Sequence, residues 1–209
     1  MRRTIWLVLA LFMTLSTWGK VKLPSIIGDN MVLQRSSCVN IWGWADSFQK
    51  ITVEPSWNHQ VYATQADGDG KWLLQIQTPV AGGPYYIQIS DGEILMLNDI
   101  LIGEVWICSG QSNMEMPVHG FYGQPVAGSL DEIFEAKQYS GIRMFTVPPT
   151  PAKYPQENCG GSWLQSTPES VRDFSAVGYF FGKNLNRVLN IPIGLITANC
   201  GGIAIEPWM

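Results

Sequence analysis

Charge is scarce in this chain. Asp, Glu, Lys and Arg make up 14% of its 209 residues, the formal net charge is −4, and no Lys/Arg cluster follows residue 3. Without a basic patch there is little to neutralise phosphates, which argues against a nucleic-acid or anionic-membrane partner. Histidine is scarcer still, with only His59 and His119. No Cys/His spacing resembles a metal site, so neither a metal nor another cofactor is expected. Cysteine is limited to Cys38, Cys108, Cys159 and Cys200. Four cysteines allow three pairings, between which the sequence does not choose, and buried free thiols fit as well. A membrane-length apolar run is also missing, because the run from Ile5 to Leu15 is too short to span a bilayer.

Hydrophobic residues are plentiful, at 46% of the chain. That describes a globular, core-forming protein. Nine Trp and seven Tyr are many for this length. Most belong in a core, while exposed ones suit sugar faces, which present C–H groups to rings. Arg2 and Arg3 before the Ile5–Leu15 run, with Thr17-Trp18-Gly19 after it, have the form of a secretory signal over residues 1–19, cut before Lys20. A secreted or periplasmic protein, free of the membrane after cleavage, is expected, with its cysteines in an oxidising compartment.

Residues 20–98 read as short strands: Val39–Trp44, Ile51–Glu54, Gln60–Gln65, Trp72–Gln77, Tyr85–Ser90 and Glu93–Leu97. Several alternate polar with apolar residues, and turn signals recur at Asp67-Gly68-Asp69-Gly70, Ala81-Gly82-Gly83-Pro84 and Asp91-Gly92. This is the pattern of a small antiparallel β-sandwich-like domain. Asp67-Gly68-Asp69-Gly70 lacks the further acidic positions of a calcium loop and reads as a hairpin turn.

From residue 99 strands alternate with helices, which implies a parallel α/β sheet over 99–209. Expected strands are Val105–Cys108, Ile142–Val147 and Ile193–Ala198. A short helix is expected over Ser129–Lys137, capped by Ser129 with Glu132 three residues on. A longer one, Phe174–Asn190, carries Val177, Phe181, Leu185 and Val188 on one face. The Pro- and Gly-rich stretch from Pro148 to Gly161 reads as an irregular loop, either a wall of the pocket or plain surface. A further helix starts at Ile203 and runs to Trp208. Three strands with one long helix leave much apolar surface uncovered, so the chain alone is expected to be insoluble or loosely folded.

The chemistry concentrates where Val105–Cys108 runs into Ser109-Gly110-Gln111-Ser112-Asn113. A buried strand ending in Gly-x-Ser delivers a hydroxyl to the carboxyl edge of a parallel sheet. Ser112 is the candidate nucleophile, and the N–H groups around Ser112 and Asn113 are candidate oxyanion donors. Gly-x-Ser alone would favour the plainer reading, a strand end with a Ser/Asn helix cap, because Met114 stands where a nucleophile elbow has its second glycine.

The longer string decides between these. Gly103-Glu104-Val105-Trp106 with Ser109-Gly110-Gln111-Ser112-Asn113-Met114-Glu115-Met116 closely resembles the first catalytic block of sialate O-acetylesterases, in the SGNH hydrolase superfamily of serine esterases. Leu23-Pro24-Ser25, Asp29 to Arg35, Trp42-Gly43-Trp44-Ala45 and Gly82-Gly83-Pro84-Tyr85 resemble that family's N-terminal β-domain. The resemblance implies an α/β fold: a β-sandwich-like domain followed by an incomplete SGNH-type, flavodoxin-like hydrolase domain. Asn199, before Gly201-Gly202, matches the family's Asn block and would offer its side-chain N–H₂ to the oxyanion; Ile203 replaces the family's Thr. Ser175 is the implied backbone donor of the second block, although a simple helix cap explains it almost as well, and Gln111, Gly201 and Gly202 are implied pocket residues.

The family's Asp-x-x-His is missing. Ser56 precedes His59 by three residues and Met116 precedes His119, so neither histidine fits. Without a base Ser112 stays a poor nucleophile. The expectation is therefore a truncated, weakly active or inactive esterase acting on acetylated sialic acid or another acetylated glycan such as acetyl-xylan. The alternative is a non-catalytic carbohydrate-binding or adaptor protein.

Overall fold

A computed structural model describes residues 20–204. The signal expected over 1–19 and most of the helix expected from Ile203 lie outside the described residues. Ile203 and Ala204 themselves are not helical.

The alternation read from the sequence appears as strands: β1 (Val32–Gln34), β2 (Cys38–Trp44), β3 (Lys50–Pro55), β4 (Tyr62–Gln65), β5 (Lys71–Gln77) and β6 (Gly82–Ser90). In β5 every second residue, Trp72, Leu74 and Ile76, is buried, and Lys71, Leu73, Gln75 and Gln77 face outward. Antiparallel β2 and β5 form a two-stranded ribbon. Its inner residues Ile41, Trp72, Leu74 and Ile76 share one core with Ile51, Val53, Ile87 and Ile89 of the larger sheet. Tyr62 rather than Gln60 opens β4, and the turn at Asp67–Gly70 is not a hairpin. It joins β4, in the large sheet, to β5, in the ribbon, with Asp67 Oδ1 accepting from the amides of Asp69 and Lys71.

The strands expected at Glu93–Leu97 and Val105–Cys108 are one strand, β7 (Ile94–Gly110). The boundary expected after residue 98 falls inside it, at a bulge: Ile87 pairs with Leu97 but Tyr85 with Ile100, and Asp99 takes a left-handed φ of 55°. One extra residue is absorbed and the strand continues. Its first part pairs antiparallel with β6; its second, Glu104–Gly110, pairs parallel with β10 (Ile193–Asn199). β10 in turn pairs parallel with β8 (Ile142–Thr146), and β9 (Trp163–Gln165) closes that side antiparallel. The order is β4-β3-β6-β7-β10-β8-β9, with β1 beside β7. The three parallel strands foreseen from the sequence thus extend a mainly antiparallel sheet. Trp163 ties the parts together, its indole donating to Ile26 O at 2.8 Å and its ring packing on Phe145.

The helices are α1 (Ser112–Glu115), α2 (Ser129–Glu135), α3 (Pro168–Arg172) and α4 (Ala176–Leu189), with a 3₁₀ turn at Ala136–Tyr139 after α2. Gly128, in a left-handed conformation, precedes α2, so Ser129 is its first residue rather than a cap. The buried stripe of α4 is also not the expected one. It consists of Ala176, Gly178, Tyr179, Gly182 and Lys183, while Val177, Phe181 and Val188 are exposed. The reason is close approach to β10: a Cβ on Gly182 would stand 2.6 Å from Leu195 Cδ1. The side of the helix with Gly178 and Gly182 seats on the sheet, Tyr179 buried beside them, and Val177 and Val188 face away.

Candidate active site

The sequence places Ser112 just past the end of β7, and the parallel pairing brings the end of β10 beside it. Asn199 is in register with Gly110, and the Cys200 amide donates to Gly110 O at 3.1 Å. Two polar, Gly-rich strand ends therefore meet at the carboxyl edge of the sheet, where open α/β folds bind ligands.

Gly110 ends the strand, Gln111 stands at the N-cap and Ser112 opens α1. Ser112 and Asn113 lie in the first turn, whose N–H groups have no intrahelical partner. Both side chains are exposed. Gly201 packs directly on this turn: a Cβ there would meet Ser112 Oγ at 3.0 Å and Glu115 Oε2 at 2.2 Å. The Gly201 amide donates to Glu115 Oε2 at 2.7 Å. Glu115 is a site residue that the sequence reading did not single out. Its signal was available, because residues three apart share a helix face.

Asn199 Nδ2 donates to Met114 O at 3.2 Å, which fixes the amide against α1 and leaves its second hydrogen for a ligand. Gln111 Nε2 donates to Ile203 O at 2.7 Å, holding the segment after Gly202 across the site. Gly202 has φ 74°, a left-handed turn with open space around its Cα. Ser175 is buried and caps α4: its hydroxyl accepts from the Gly178 amide at 3.1 Å and lies 3.5 Å from Met114 Sδ. The cap that the sequence also allowed is thus what its side chain does, and the Ala176 amide, donating to Met116 O, sets α4 against the end of α1. A cavity of about 530 Å³ opens beside Asn199 and Cys200, walled by Val147, Pro148 and Thr150, so the Pro-rich loop does border the site.

The histidines are engaged elsewhere. His119 Nδ1 lies 2.9 Å from Arg172 O and 3.3 Å from Asp173, and His59 lies 3.3 Å from Glu54. All four cysteines are free thiols, and burial pushes the Cys108 thiol up from its ordinary value. Among the described residues no cluster of His, Cys, Asp or Glu is placed to hold a metal ion.

No family model matches the chain. The sialate O-acetylesterase of Pongo abelii is 30% identical over 97% of this chain, and that of Homo sapiens 29% over the same share. The chain belongs to the sialate O-acetylesterase family. It spans 42% of the length of those two relatives. A crystal structure of a carbohydrate acetylesterase from Xanthomonas citri superposes with a TM-score of 0.84 at 34% identity, covering 91% of this chain and 43% of that one. Both comparisons are with carboxylic ester hydrolases.

Proposed function

We propose that this chain is the front part of a serine esterase that removes O-acetyl groups from sialic acids or a related glycan. The observation that carries the reading is the packing of Gly201 on Ser112 and Glu115, which joins the two polar strand ends into one site. Ser112 Oγ attacks the acetyl carbonyl, forming an acyl-enzyme and releasing the sugar hydroxyl; water then releases acetate. The first-turn amides of Ser112 and Asn113, the second hydrogen of Asn199 Nδ2 and the Ser175 amide are the oxyanion donors. The proton is handled by an Asp-x-x-His pair outside residues 1–209, in the remainder of a longer protein.

In this reading residues 20–98 supply most of a β-sandwich-like part and 99–209 the first part of an SGNH-type domain, the two meeting within the continuous strand β7, after a signal over 1–19 that directs secretion or export to the periplasm. The sugar-specific choice, sialate against acetyl-xylan, rests on the sialate O-acetylesterase relatives.

Acetate release from O-acetylated sialic acid and from acetyl-xylan tests this. The 209-residue chain should be slow, with at most about 10³–10⁴ acceleration over water from oxyanion hole and binding alone. A protein extended by an Asp-x-x-His segment should turn over in a Ser112-dependent way. Activity that survives Ser112→Ala in the extended protein would sink the proposal, and loss of activity in His119→Ala would move the base to His119.

A further inference from the structure

The outer face of the β2–β5 ribbon carries two half-buried tryptophans, Trp42 and Trp44, of which Trp42 also packs against the core. Strand alternation buries Ile41 and Gly43 and puts Trp42 and Trp44 on the other side. Trp42 stands opposite Leu73 and Trp44 opposite Lys71. Leu73 is 56% exposed and the two tryptophans are half-buried, so this apolar face is only partly covered. With Trp72, Asp67 and Glu157 these residues line a cavity of about 360 Å³, within the size range of small-molecule sites.

The polar groups of the cavity converge from distant parts of the chain. Glu157, from the Pro- and Gly-rich loop, pairs with the Lys71 ammonium and lines the cavity beside Trp44. This pairing holds the carboxylate at the rim. The Trp72 indole N–H is buried and has no acceptor among the described residues. Indole faces beside fixed carboxylates suit a pyranose ring, whose C–H face packs on the aromatic and whose hydroxyls donate to the carboxylates. Asp67 and Glu157 against the single Lys71 leave the rim net negative, which disfavours an acidic sugar. The same loop that carries Glu157 walls the cavity beside Asn199.

We propose that the Trp42–Trp44 face is a binding site for a neutral sugar residue of an oligosaccharide, separate from the Ser112 site. Binding here does not depend on the esterase reading. Only the further step, that the bound glycan is also the acetylated substrate, rests on it.

Affinity electrophoresis of the whole chain in gels containing xylan or glucomannan tests the proposal, with fluorescence titration by xylohexaose, mannohexaose and sialyllactose. At least one neutral probe should retard the chain and perturb Trp emission. Trp44→Ala should weaken that binding by about tenfold. Glu157→Gln, an exposed loop change that does not threaten the fold, should weaken it as well. Ser112→Ala should bind like the parent, which separates this proposal from the esterase one. No binding to any neutral probe would overturn it. So would binding that persists in both the Trp44 and Glu157 variants, that is lost in Ser112→Ala, or that is tighter for sialyllactose.

Discussion

The Gly201 amide donates to Glu115 Oε2 at 2.7 Å, and the Gly201 Cα stands where a Cβ would come within 3.0 Å of Ser112 Oγ. The strand end that carries Asn199 is thereby locked to the turn that carries Ser112. A methyl group at position 201 cannot fit without moving Glu115 off its donor. Gly201→Ala should therefore lower kcat for Ser112-dependent deacetylation by about 10²–10³, the range for losing an oxyanion donor, with KM much less affected. Steady-state kinetics in a protein context that shows such activity checks this; an unchanged kcat would mean that the lock does not serve the chemistry.

Arg143 is buried, and its guanidinium donates to Asp99 Oδ2 at 2.8 Å. Burial pulls the Arg143 pKa down, and Asp99 opposes that. Removing the partner charge leaves a buried cation uncompensated, which costs roughly 3–5 kcal/mol in a fully buried pair. Asp99 is 30% exposed, which screens its charge, so about 2 kcal/mol is expected for Asp99→Asn. Asn is the suitable probe because position 99 has a left-handed φ that Asn tolerates. Urea denaturation should show the loss, and most of it should return in the Asp99→Asn/Arg143→Met double variant.

Glu104 accepts from Gln34 Nε2 at 3.0 Å and pairs with Arg35 Nε at 2.7 Å. The Gln34 hydrogen bond first, then the Arg35 contact, holds its pKa below the ordinary 4.5. A carboxylate depressed on folding contributes stability above its unfolded pKa and loses it as pH falls through the lower folded value. The urea midpoint of the chain should therefore decline in acid below the ordinary Glu pKa. Glu104→Gln should flatten that part of the decline; an identical pH profile for parent and variant would remove Glu104 from the account.

Along Glu104–Gly110, β10 occupies one edge of β7, and among the described residues no strand pairs with the other. Gln34 Oε1 takes the Val105 amide at 3.0 Å, but Trp106 and Ile107 beyond it are exposed, and Phe181 of α4 packs edge-on against Trp106. An apolar, unpaired edge is a template for association. The 209-residue chain should self-associate in a concentration-dependent way in sedimentation velocity. Ile107→Lys should reduce that association, since a charged residue blunts an edge. A monomer at all concentrations would refute the expectation.

The sequence by itself determined the local facts. Period-2 alternation placed the inner and outer faces of β5, and the polar clusters after Cys108 and Ala198 marked the strand ends on which the site is built. It did not show that β7 is continuous, because Asn98-Asp99 resembles a break and only pairing with β6 reveals a bulge. Nor did it show which side of α4 is buried. Val177, Phe181 and Val188 form an apolar stripe, yet the stripe of small residues around Gly182 is the one that seats on Leu195. The tertiary structure also decided that Glu115 receives the Gly201 amide, and that Glu157 reaches Lys71 and the cavity beside Trp44. A repeat along one segment fixes which residues share a face. Which face is buried, and against what, depends on neighbours that only long-range strand pairing brings into contact.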